Sequence, residues 1–159
     1  EIYGAKLPPY VHGKSLLHLL EQDQPHHESI IYGMFGKDIT LVNDKYLYCR
    51  QPLKDSTLYM HTAMPRHGMG EFIRRDSLAS AQMGVFLKQS YGIPVYRIKD
   101  NSLFSLGAPD YNPIYDLVGD PDCKRPIKDK DLESGLASRM KEVLERYDAP
   151  ECQFKRMGW

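Results

Sequence analysis

The side chains in this sequence best equipped for chemistry are three cysteines, six histidines and an adjacent Arg66-His67 pair. Cys49, Cys123 and Cys152 are widely spaced and odd in number, so they supply neither a CxxC metal pair nor a closed disulfide framework, and they read as ordinary thiols. A cysteine nucleophile needs a base beside it and a third group to orient that base. Cys49 with His61 or His67 would give the first two across neighbouring strands, but no residue in the sequence is marked as the third. His26-His27 are adjacent rather than at the spacing two ligands need on one helix face, so a solvated polar connector is the plainer reading.

The run Met64-Pro65-Arg66-His67 is the best functional candidate. A guanidinium at Arg66 can hold an anionic group through a forked pair of hydrogen bonds, and an imidazole at His67 can donate to one. Both are expected to be substrate-binding residues, against the plainer reading that Met64 and Pro65 simply pack the loop onto a neighbouring domain. Tyr46, Tyr48, Tyr59, Tyr91 and Tyr96 would suit the wall of a sugar or aryl site, although cross-strand aromatic packing is their commoner use. No catalytic residue and no metal ligand is assigned.

The elements that would position these residues are legible in the pattern. Residues 1–25 read as a connector, extended at Pro8-Pro9 and then forming a short apolar turn through Leu16, Leu17, Leu19 and Leu20. A β pattern follows: Ile30 to Phe35, a turn at Gly36-Lys37-Asp38, Ile39 to Val42, a turn at Asn43-Asp44, and Tyr46 to Cys49. Thr57 to Thr62 is a fourth strand, and Ala63 to Gly70 an ordered loop. Asp76 is expected to cap a helix from Ser77 to about Gly84. Pro94 to Lys99 is a strand, residues 100–112 a loop, and Ile114 to Leu117 a last short strand. Leu132, Leu136, Met140, Val143, Leu144 and Tyr147 recur at helical steps behind Asp129 and Asp131, and Pro150 closes that helix.

Composition bounds the partners. With 42% hydrophobic and 26% charged residues the chain is of ordinary globular type. Lys plus Arg and Asp plus Glu are both 21, so no cationic surplus exists to hold nucleic acid or an anionic membrane, and neither is expected as a partner. No apolar run approaches the roughly 20 residues needed to cross a bilayer. The sequence opens at Glu1 rather than Met, which is read as a start within a longer protein, of cytoplasmic or periplasmic location.

Taken in order, several phrases resemble the carboxy-terminal region of the sulfatases, within the alkaline-phosphatase-like superfamily. His12-Gly13-Lys14-Ser15-Leu16-Leu17-His18-Leu19-Leu20 is similar to the D-G-x-S-L-x-P-L-L phrase that closes a sulfatase catalytic domain, with His12 and His18 in place of Asp and Pro. Tyr32-Gly33-Met34-Phe35-Gly36, Lys45-Tyr46-Leu47-Tyr48 and Tyr59 to His67 resemble successive strand and loop phrases, and Tyr115-Asp116-Leu117-Val118-Gly119-Asp120-Pro121 matches Y-D-L-x-x-D-P. The resemblance implies that the parent enzyme hydrolyses sulfuric esters with a formylglycine, made from Cys or Ser in C/S-x-P-S-R, and a divalent cation such as calcium. Neither is in this chain, because each of its cysteines lacks a proline two residues on and no paired Asp-Asp motif occurs.

The expectation is therefore an α+β fold, an antiparallel sheet of about four strands packed by a carboxy-terminal amphipathic helix, with residues 1–25 as connector and 26–159 as a sulfatase carboxy-terminal domain. Its partners would be the catalytic domain of the parent sulfatase and a sulfated small molecule or carbohydrate. It would wall part of the substrate cleft and be inactive alone. The alternative is a stand-alone small-ligand-binding or interaction module of the same fold.

Overall fold

The structure is a computed structural model that describes residues 4, 6, 11–22, 26–64, 66–67, 71–100 and 109–159. The class is α+β, built on antiparallel sheets and a long carboxy-terminal helix. The short helix α1 (Leu17–Glu21) precedes strands β1 (Ile30–Gly33), β2 (Ile39–Val42) and β3 (Tyr46–Arg50), which form the expected meander. Its two turns follow from local chemistry. Gly36 takes the left-handed conformation (φ 82°) that the first turn requires, and Asn43 Oδ1 accepts from the amides of Lys45 (2.9 Å) and Tyr46 (2.6 Å) in the second.

The fourth strand of this sheet is not the next one in the chain. Strand β4 (Leu58–Thr62) leaves for a second sheet, and β9 (Ile114–Asp116) returns to pair with β3. The register puts Ile31, Leu41, Tyr48 and Ile114 in one cross-strand row. Leu41 and Tyr48 are wholly excluded from solvent, and the row meets Leu136, Met140 and Leu144 of α3 (Lys130–Arg146). Each such fully buried aliphatic contributes on the order of 1.5–3 kcal/mol, so this layer is the main source of stability. Asp129 caps α3 as expected, its Oδ1 accepting from Asp131 and Leu132 at 3.0 Å.

Between β3 and β9 the chain builds the second sheet, ordered β4, β8 (Val95–Asp100), β7 (Gln82–Gly84), all antiparallel. Two sequence expectations are corrected here. The helix expected from Ser77 to Gly84 is α2 (Arg75–Ala79), followed by strand β7, because pairing with β8 outcompetes the helical pattern beyond Ala79. Asp76 lies inside the first turn, and Arg74 is the capping position. The loop read at 63–70 contributes a small hairpin, β5 (Arg66–His67) with β6 (Glu71–Phe72). The segment read as a loop at 100–112 lies largely outside the described residues, as do Pro8-Pro9.

A third correction concerns the end of the chain. Helix α3 stops where Asp148 adopts φ 53°, and Pro150 opens a further helix, α4 (Glu151–Arg156), rather than closing the last one. The buried Arg156 anchors α4 to the first hairpin by donating from Nη2 to the carbonyls of Gly36 (2.5 Å) and Lys37 (3.1 Å). Arg50 secures the terminus: its Nε donates to Met157 O (2.8 Å), its Nη1 to the Tyr48 hydroxyl (3.2 Å), and its guanidinium lies 4.4 Å from the Trp159 ring centroid.

Candidate functional site

The register of the second sheet sets out a polar row. Gln82 of β7 stands opposite Arg97 of β8, and Arg97 stands opposite His61 of β4. Residues paired across antiparallel strands project to the same face, and Tyr59, two residues before His61, shares it. Helix α4 leans over this face and closes a groove of about 480 Å³ lined by Tyr59, His61, Phe86, Arg97, Cys152 and Lys155, among others. On the other face of β8, Ile98 is buried in the domain.

Among the described residues, Arg97 is held in the groove without a carboxylate ion pair. Its Nε (3.1 Å) and Nη2 (2.5 Å) both donate to Gln82 Oε1, a neutral acceptor, and its guanidinium lies 4.1 Å from the Phe86 ring centroid and 5.1 Å from that of Tyr59. Its Nη1 makes no hydrogen bond among the described residues, and no described acid pairs with it. Glu151, which also lines the groove, forms an exposed ion pair with Lys155 at 2.5 Å. His61 Nε2 is shielded from solvent and has no hydrogen-bond partner among the described residues, while burial, aided by the Arg97 charge, pushes the imidazole below its usual range. Burial raises the Cys152 thiol, so it is protonated at neutral pH and is a poor nucleophile there.

The residues singled out from sequence fall in several places. Arg66 is exposed on β5 with its guanidinium 5.0 Å from the Phe72 ring centroid. His67 pairs with Glu71 through the backbone, and its side chain lies outside the described residues. Tyr48 is core, Tyr46 packs beside it, and of the five tyrosines only Tyr59 lines the groove. Cys49 accepts a hydrogen bond from Thr40 Oγ1 at 3.5 Å in the first sheet, so the thiol that shares a pocket with His61 is Cys152 instead. His26 Nδ1 lies 3.2 Å from His18 Nε2 and its ring packs edge-on to His27, but no described group of three or more His, Cys, Asp and Glu side chains is arranged to hold a metal ion.

The two carboxylates of the Y-D-L-x-x-D-P phrase, and Asp122 just after it, do not fit a cation site either. Asp116 Oδ1 accepts from the amides of Val118 (3.0 Å) and Gly119 (3.2 Å), Asp120 Oδ2 accepts from the Arg125 amide (2.7 Å), and Asp122 pairs with Lys124. All three shape a turn. From sequence alone Arg97, Phe86 and Lys155 have no assigned binding role and Cys152 reads as an ordinary thiol; an arginine between Tyr96 and Ile98 in the strand was the available signal for the first. Comparison with protein-family models, curated proteins and solved structures gives no match to this chain.

Proposed function

We propose that the chain is the carboxy-terminal domain of a sulfatase-type ester hydrolase, walling part of the substrate cleft of a catalytic domain that supplies the formylglycine and the divalent cation. The observation that carries this reading is an unburied apolar surface at the positions of the resembling phrases. Helix α1 buries none of its residues although Leu17, Leu19 and Leu20 lie in it and Leu16 just before it. Ile30 and Tyr32 on the outer strand, with Met34 and Phe35 in the turn after it, are exposed as well. Apolar side chains gathered in this way mark a surface that another body covers. In this reading that body is the catalytic domain, with Arg66 and His67 reaching the substrate's outlying anionic or hydroxyl groups.

The chain contributes no nucleophile and no cation ligand to the reaction, so its part is positioning and exclusion of water. The test is the parent enzyme. Its open reading frame should carry C/S-x-P-S-R upstream, and Leu19→Asp with Leu20→Asp should abolish sulfate ester hydrolysis by detaching the domain. Arg66→Ala in the intact enzyme should lower kcat/KM by roughly 5- to 100-fold, an effect confined to substrates with a second anionic group. An upstream region without the nucleophile motif, or an enzyme indifferent to the leucine pair, ends this reading. The alternative, a stand-alone ligand-binding module, draws its support from the Arg97 groove.

A further inference from the structure

We propose that the groove between α4 and the second sheet is a binding site for a flat-ringed organic anion, held by Arg97 beside Tyr59 and Phe86. The site belongs to this chain alone and stands whether or not the parent enzyme is a sulfatase.

Charge is the first argument. A guanidinium fixed in a concavity normally sits against a carboxylate, because a partly desolvated cation without a counter-ion is costly. Arg97 is fixed from three sides, by Gln82, Phe86 and Tyr59, yet no described carboxylate forms an ion pair with it. Gln82 takes Nε and Nη2, which leaves Nη1 for an incoming oxygen. Glu151 also lines the groove, but its ion pair is with Lys155 and not with Arg97, and the half-buried thiol of Cys152 is uncharged at neutral pH. His61, opposite Arg97, offers a neutral imidazole whose Nε2 has no partner among the described residues, a second polar deficit on the same wall.

Shape is the second. A volume of about 480 Å³ accommodates a single-ring ligand rather than a polymer segment, and falls within the usual range for small-molecule clefts. Val85 and Pro150 complete the apolar lining beside Tyr59 and Phe86, so the body of the ligand is expected to be a ring and its charge to meet Arg97. Inorganic sulfate alone would leave this apolar surface uncovered.

The experiment uses the 159-residue chain with 4-nitrophenyl sulfate as the probe, with 4-nitrophenol and inorganic sulfate compared by calorimetric titration. The aryl sulfate should bind with Kd of about 0.1–1 mM, and each half-ligand at least tenfold more weakly. Arg97→Gln should weaken binding at least tenfold and Arg97→Lys by an intermediate factor, while Lys124→Ala, a surface change, should leave it unaltered. Occupancy should also slow alkylation of Cys152 by iodoacetamide without changing the rate at Cys123, a readout of place that needs no variant. Absence of binding up to roughly 10 mM, equal affinity for inorganic sulfate, retention of binding in Arg97→Gln, or an unchanged Cys152 rate overturns the proposal.

Discussion

His61 and Arg97 face each other across β4 and β8, and burial, with the Arg97 charge beside it, holds the histidine ring neutral at pH 7. The unfolded chain is free of both influences, so as pH falls below about 6.5 it takes up the His61 proton before the folded domain does. Stability tied to this residue is therefore retained above that pH, declines as pH drops through the window below it, and levels off once the folded imidazole is protonated too. Thermal melts at pH 7.5 and 5.5 should show a smaller acid-induced loss for His61→Gln than for the wild type. Identical losses would remove His61 from the acid response.

Arg50 joins β3 to the last three residues through the Met157 carbonyl and the Trp159 ring, and is braced by the Tyr48 hydroxyl of its own strand. Arg50→Ala should destabilise the domain by on the order of 1–3 kcal/mol in chemical denaturation. Arg50→Lys should recover little of it, since a point charge cannot reach all three partners as a planar fork does.

Two aspartates near helix starts have different expected weights. Asp129→Ala removes the acceptor for two amides and should cost about 0.5–2 kcal/mol. Asp76→Ala, at a position that caps nothing, should stay within about 0.5 kcal/mol of wild type. Equal effects in urea denaturation would contradict the assignment of Arg74 as the cap.

Leucines should separate folding from docking. Leu41→Ala empties part of the core row and should cost about 2–5 kcal/mol. Leu20 is 83% exposed, and Leu20→Ala should leave the melting temperature of the chain unchanged. A large loss there would mean that α1 stabilises the domain itself.

The meander and the long helix were legible because each has a periodicity reinforced by local chemistry: Asn43 in its turn, Asp129 at its cap, and apolar residues at steps of two or of three and four. What could not be read was pairing between distant segments. Nothing local to Leu58–Thr62 says that it joins β8 rather than β3, and Gln82–Gly84 looks helical until its partner strand is present. The groove is hidden for the same reason. Its lining comes from four stretches of chain, and Arg97 gains its meaning from Gln82, His61, Phe86 and Tyr59, none of them adjacent to it in sequence.

The return of β9 to the side of β3 makes the second sheet an insertion whose two ends are clasped. The Gln51 amide donates to Asn112 Oδ1 at 2.8 Å, the Cys49 amide to Pro113 O at 2.9 Å, and Lys54 meets Asp110 at 2.9 Å. Because the ends already meet, the segment from Asp55 to Pro109 is topologically a cassette, and a short turn in its place would leave the pairing of β3 with β9 undisturbed. In evolutionary terms one wall of the groove is then separable from the scaffold: the cassette can drift, lengthen or be exchanged, while the four-stranded sheet, α3 and the α4 wall keep their constraints.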